Sequence, residues 1–179
     1  MRRTHLRPLV GGVVTTVLLT GSLLATTNSA QAYNPNPTVR WAQVDTDDCR
    51  RLGGNLTVSA QSDGCRVNDS WDGTFFRKDP NGIAIKVELY VGSTLVAKSE
   101  FHPYGEVLWV YDTRDDSDTI YTTLRVAEFG DSYGPYRGPV NGANTYNLSI
   151  TDGRTVTMSV NDNNDPNNLD QLIALQGTA

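Results

Sequence analysis

From Ile83 to Val91 the chain alternates without a break. Ile83, Ile85, Val87, Leu89 and Val91 are apolar, with Ala84, Lys86, Glu88 and Tyr90 between them. Side chains on a strand point to opposite faces with period two, so this run has one apolar face and one mostly polar face. Gly92-Ser93 supplies a turn, after which Leu95, Ala97, Ser99 and Phe101 alternate with Val96, Lys98 and Glu100. Beyond His102-Pro-Tyr-Gly105 come Val107–Tyr111 and, past a polar loop, Thr119–Val126. Four strand-like runs joined by short turns predict an antiparallel meander with one buried face. Lys86, Glu88, Lys98 and Glu100 then fall on the solvent face, where cross-strand ion pairing is their ordinary role.

The chain opens on Arg2, Arg3 and Arg7, followed by an apolar run from Val10 to Leu24 and by Ala30-Gln31-Ala32, the small-residue pattern of a signal peptidase site. A membrane-spanning helix needs about 20 consecutive apolar residues, more than this run offers. Residues 1–32 are therefore expected to be a cleaved secretory signal, leaving 33–179 as one exported domain. The Thr-, Gly- and Ala-rich style resembles signals of high-GC Gram-positive bacteria. Arg2-Arg3 resembles a twin-arginine signal, but His5 stands where that signal carries an apolar residue, so the general secretory route is expected.

Charge narrows the partners. The chain has 15 Lys and Arg against 20 Asp and Glu, and loss of Arg2, Arg3 and Arg7 leaves 12 against 20, a net charge of −8. Such a domain lacks the basic footprint of a nucleic-acid binder and is repelled by anionic membrane surfaces. No internal repeat or linker divides it.

Pro35 and Pro37 keep residues 33–38 out of any sheet centre and predict an extended N-terminal arm. Val39–Val44 and Asn55–Ala60 are further strand candidates. Cys49 and Cys65 flank the second, and an even cysteine count in an exported protein predicts a disulfide, worth about 3 kcal/mol for a loop of this length. Tyr146–Ile150 and Thr155–Val160 read as a hairpin around Asp152-Gly153. Leu169–Gln176 has a spacing that fits helix and strand alike, and its all-β context favours a closing strand. The expected fold class is all-β: an antiparallel β-sandwich or small β-barrel built on the meander, with little or no helix after the signal.

No nucleophile elbow, glycine-rich phosphate loop or zinc-protease motif is present. Glu88, Glu100 and His102, the last expected in an exposed turn, are the nominees for a carboxylate-dependent hydrolase. Asp112, Asp115, Asp116 and Asp118 share one loop, and Asp162, Asp165 and Asp170 lie among asparagines, so both are candidate calcium loops. Neither matches the twelve-residue calcium loop, Arg114 opposes a cation, and Asp and Asn also populate turns for their own backbone bonds. The stretch Phe129–Gly142 is predicted to be an irregular loop that presents Phe129, Tyr133, Tyr136 and Arg137 to a sugar ring or a protein. Its competing role is to cover an open end of the core. Asn55, Asn68 and Asn147 fit a glycosylation pattern that matters only in a eukaryotic pathway. The leading expectation is a secreted, cofactor-free binding protein for an extracellular polysaccharide or another exported protein. A small hydrolase and a structural cell-surface protein are the alternatives.

Overall fold

In the computed structural model, residue 33 and residues 36–115, 118–165 and 170–179 are described. The expected signal, residues 1–32, lies outside them, as do Asp116 and Leu169. The strands are β1 (Thr38–Asp45), β2 (Arg50–Gly54), β3 (Val58–Gln61), β4 (Gly64–Val67) and β5 (Thr74–Arg77), then β6 (Ile83–Val91), β7 (Thr94–His102) and β8 (Val107–Asp112). They continue with β9 (Tyr121–Val126), β10 (Ser132–Arg137), β11 (Gly142–Asn147), β12 (Thr155–Asn161) and β13 (Gln171–Thr178). No helix occurs among the described residues.

Ten strands form one sheet in the order β10-β9-β12-β13-β6-β7-β8-β11, with β1 along β6 and β2 along β1. The sheet curls into a nearly closed barrel. Its two ends meet through side chains: Asn144 and Tyr146 on β11 donate to the Arg137 carbonyl of β10 at 3.0 and 2.9 Å, and Tyr136 stacks on Tyr146 at 4.1 Å. Ile85, Val87 and Leu89 of β6 point inward, where they join Phe101, Leu108, Val110, Leu124, Met158 and Val160 in one core. Tyr33 is buried in the same core, so the expected arm is anchored at that residue.

The meander holds for β6, β7 and β8 but not for the fourth run. Strand β11 occupies the free edge of β8, and β9 lies between β10 and β12. The hairpin around Asp152-Gly153 is also corrected. The turn forms, with Arg154 donating to the Thr151 carbonyl at 3.3 Å, but β11 pairs with β8 while β12 pairs with β9 and β13. The turn bonds instead to the residue after β13: Gly153 N–H donates to the Ala179 carbonyl at 2.6 Å, and Ala179 N–H donates to the Arg154 carbonyl at 2.9 Å. The closing segment is a strand, β13, as its surroundings favoured.

The largest correction concerns the outer face of β6 and β7. Strands β3, β4 and β5 form a small separate sheet, and a second core of Ala42, Val44, Leu56, Cys65, Val67, Phe76 and Ala84 holds it against the barrel wall. Lys86, Glu88, Lys98 and Glu100, expected in solvent, are at most 1% exposed. Alternation identifies two faces of a strand, but a polar face can still be covered when the covering segment brings its own charges.

Cys49 and Cys65 lie close to each other, as the predicted pairing requires, and both are free thiols in this structure. Burial, and then the hydrogen-bonded Cys49 thiol, push the Cys65 thiol up to about 12. The deprotonated form that starts disulfide exchange is thus scarce at Cys65, although the partner is in place. Oxidation of the folded protein with glutathione disulfide is expected to yield a protein that takes up no iodoacetamide when unfolded. Two carbamidomethyl groups on the oxidised sample would show that the adjacent thiols stay apart.

Candidate functional site

The turn between β4 and β5 builds the site. Asp69 Oδ1 accepts the backbone N–H groups of Trp71, Asp72 and Gly73 at 2.7, 3.1 and 3.0 Å, which folds residues 68–73 around its carboxylate. Gly73 has φ +69°, a left-handed conformation that an L side chain adopts only at a cost, so the closing position calls for glycine. The other oxygen, Asp69 Oδ2, lies 2.6 Å from Lys86 Nζ and 2.9 Å from Lys98 Nζ. Each lysine then pairs with the glutamate two residues on: Lys86 with Glu88 at 3.1 Å, Lys98 with Glu100 at 3.0 Å. Lys86 also donates to the Val67 carbonyl at 3.3 Å. Lys98 further meets Asp72 and the Gly73 carbonyl, and its ammonium sits 4.1 Å over the Tyr111 ring. Lys98 thus has three hydrogen-bond acceptors, and Lys86 has two with the Glu88 carboxylate beside it, so both buried charges are paired.

The charges hold one another ionised. Burial raises the Asp69 carboxyl, but hydrogen bonds from Lys86, Lys98 and the Gly73 amide outweigh it and leave Asp69 well below the usual carboxylate range. Burial likewise opposes ionisation of Glu100, and His102 with Lys98 reverses it to a net lowering. For Lys98, burial disfavours the charge, while Glu100, Asp72 and Asp69 carry the group above its ordinary value. Tyr111 is pushed up by burial and by the same three carboxylates. Tyr90 rises to about 12 through burial and its hydrogen bond to Glu88.

Both glutamates end at clefts. Glu100 Oε1 accepts from Thr74 at 2.5 Å, and Oε2 lies 3.1 Å from His102 Nε2. A carboxylate only accepts, so Nε2 is the donor to Glu100. His102 is the last residue of β7 and is half-buried between Phe76 (4.7 Å) and Trp109 (6.4 Å), not in the exposed turn expected for it. It lines a cleft of about 520 Å³ whose walls include Phe75, Arg77, Tyr104, Trp109 and Asn147. Tyr104 and Phe75 are 46% and 37% exposed at the rim. Trp109 stacks on Tyr111, and the Arg77 guanidinium lies 4.0 Å over the Tyr104 ring. A volume of this order, apolar with a few fixed polar groups, is that of a small-ligand site.

The aromatic candidates of the sequence lie elsewhere. Ser132–Arg137 is strand β10 and not an irregular loop. Tyr136 is half-buried against Tyr146, Tyr133 donates to the Ser149 carbonyl at 2.8 Å, and both rings pack on the main core. Phe129 is 63% exposed beneath Arg154, and Arg137 is exposed on the barrel seam. Phe129 and Tyr133 flank a depression of about 50 Å³, far below the size of a sugar ring's site.

The calcium candidates are described in part. Asp112 is buried at the end of β8 and accepts the Arg114 N–H at 3.0 Å, Asp115 is exposed, Asp118 is half-buried, and Asp116 lies outside the described residues. In the second loop Asn163 Oδ1 accepts the N–H groups of Asp165 and Asp170, both at 3.3 Å. Among the described residues no group of three or more His, Cys, Asp or Glu is placed to hold a metal ion.

Reading along the chain missed Asp69, Lys86 and Lys98 as a unit, and Tyr104, Arg77 and Trp109 as a wall. One signal was available. Lys86-Val-Glu88-Leu-Tyr90 and Lys98-Ser-Glu100-Phe-His102 share the pattern Lys-x-Glu-x-ring on neighbouring strands. Comparisons with protein-family models, with curated proteins and with solved structures returned no match.

The ion chain makes stability depend on pH in a defined direction. Asp69 and Glu100 titrate lower in the folded state, so their contribution is complete above roughly pH 4, the unfolded carboxylate value, and is lost as pH falls below it. Lys98, Tyr90 and Tyr111 titrate higher, so theirs is complete below about pH 10 and is lost above it. The urea midpoint is expected to be flat between about pH 5 and 9 and to fall on both sides. A midpoint unchanged at pH 3 would contradict an ionised, buried Asp69.

Proposed function

We propose that the protein is an exported, non-catalytic module that binds an extracellular polysaccharide through the cleft at His102 and Trp109. The observation that carries this reading is the wall of Trp109, Tyr104 and Phe75 beside His102, Arg77 and Asn147. A sugar ring presents apolar C–H faces and a rim of hydroxyls, and half-exposed aromatic rings next to donors and acceptors complement both. The contact with Glu100 orients the His102 ring, which gives the cleft a fixed polar edge at little ordering cost on binding. The net negative charge of the chain suits a neutral polymer better than an acidic one.

Support for the hydrolase alternative is weaker in the same geometry. A glycosidase pair needs two carboxyl groups facing one cleft, one of them held protonated. Glu100 is engaged by Thr74, Lys98 and His102 and is lowered, not raised. Glu88 lines a different cleft.

Trp109→Ala and Tyr104→Ala are each expected to reduce retention on the retained polymer (cellulose, chitin, xylan or purified cell wall) by roughly tenfold, about 1.4 kcal/mol for one stacked ring. Tyr133→Ala/Tyr136→Ala, judged folded by circular dichroism, is expected to bind as wild type does. Retention lost only in the Tyr133/Tyr136 variant would move the site to the barrel seam.

A further inference from the structure

The ion chain has a near two-fold arrangement centred on Asp69. Strands β6 and β7 are antiparallel, with Val87 opposite Ser99, so Lys86 faces Glu100 and Glu88 faces Lys98. From Asp69 Oδ2 one arm runs Lys86, Glu88, Tyr90 and the other Lys98, Glu100, His102. The second arm ends in the cleft of Trp109. The first ends in a cleft of about 540 Å³ lined by Arg40, Asn55, Thr57, Asn68, Glu88 and Tyr90. Loop 68–73 separates them, with Asn68 on one wall and Gly73 on the other.

We infer that the Arg40–Tyr90 cleft is a second binding site, for a neutral sugar residue, so that the module holds its polysaccharide at two places on one sheet face. This rests on the saccharide reading of the first cleft. At the floor Glu88 is 1% exposed and oriented by Tyr90 Oη at 2.9 Å and Lys86 at 3.1 Å. A buried carboxylate is costly and an apolar residue of similar size is often no less stable, so stability alone does not account for a charge at that place. Asn55 Oδ1 accepts the Trp41 N–H at 3.1 Å and Asn68 Oδ1 accepts Arg66 Nε at 3.0 Å, which leaves both amide NH₂ groups for a ligand. Thr57 adds an exposed hydroxyl. Arg40 at the rim and Glu88 at the floor give no excess of one sign, so an ionic ligand is not favoured, whereas a polyol can donate to Glu88 and accept from the amides. Tyr90 is 8% exposed beneath Arg40, so this cleft grips through hydrogen bonds, whereas Tyr104 and Phe75 of the first are partly exposed. Two modest sites on one face gain affinity for a long chain that neither shows for a short one.

The test uses ¹⁵N-labelled protein titrated with oligosaccharides from cellulose, chitin and xylan, with Thr57→Trp as the blocking variant at an exposed position. Two sets of amide shifts are expected, one over Thr74–Arg77 and Val107–Trp109, the other over Asn55–Ser59 and Glu88–Tyr90. Thr57→Trp should erase the second set, spare the first, and lower retention on the polymer at least tenfold. Shifts confined to the first set, with Thr57→Trp binding polymer as wild type does, would overturn the second site and leave the first standing. Shifts confined to the second set would remove the Trp109 cleft as the primary site while keeping this one. If neither set moves, both readings fall.

Discussion

One carboxylate oxygen, Asp69 Oδ2, lies between two buried ammonium groups, and much of the outer structure depends on it. Without that anion Lys86 and Lys98 would face each other's charge on neighbouring strands, beneath a sheet that excludes water. Moving an ion into such a place costs several kcal/mol even after relaxation. The cost is offset because each lysine has a glutamate on its own strand as ion-pair partner and donates hydrogen bonds to the shared aspartate above and to a backbone carbonyl. Asp69 is itself held by three amides of its own turn, so the anion is in place before the lysines use it. Such an ion group adds little net stability over an apolar core of the same volume. What it confers is position, since the seating of loop 68–73 places Asp69 against both lysines.

That seating explains why the protein has two cores. The barrel closes around its own apolar interior. The small sheet is too short to be stable alone, as three strands of four residues each bury little. It gains Phe76, Val67 and Leu56 against Ala42, Val44 and Ala84, and it gains the ion chain. Strand β5 then carries Thr74, Phe75 and Arg77 to the edge of the barrel wall, where β8 supplies Trp109 and the β7–β8 turn supplies Tyr104. The cleft is thus a seam between two layers, and its floor is the end of the chain of charges that joins them.

The strands were legible because period-two alternation is a local property. Ile83–Val91, Leu95–Phe101 and Val107–Tyr111 each declare their two faces within a few residues. Which strand lies beside which was less so, because β8 accepts either β9 or β11 equally well by local pattern. The site was mostly hidden. Lys86 and Glu88 in a row resemble any solvent face, and the partner that buries them, Asp69, lies 17 residues upstream in a turn that aspartate would favour anyway. Phe75, Tyr104 and Trp109 come from separate segments and form no cluster along the chain. The residues that did cluster, Tyr133, Tyr136 and Tyr146, close the barrel where its backbone ladder stops.

The most direct measurement is the stability of Asp69→Asn by urea denaturation at neutral pH. Asparagine keeps an oxygen for the three turn amides but removes the charge between Lys86 and Lys98, so the turn's own bonds are spared. Breaking a buried ion group by removing one member costs about 3–5 kcal/mol, and a loss of that size is the predicted result. A loss below about 1 kcal/mol, with the urea slope unchanged, would show that the two lysines do not depend on Asp69 and would contradict the account.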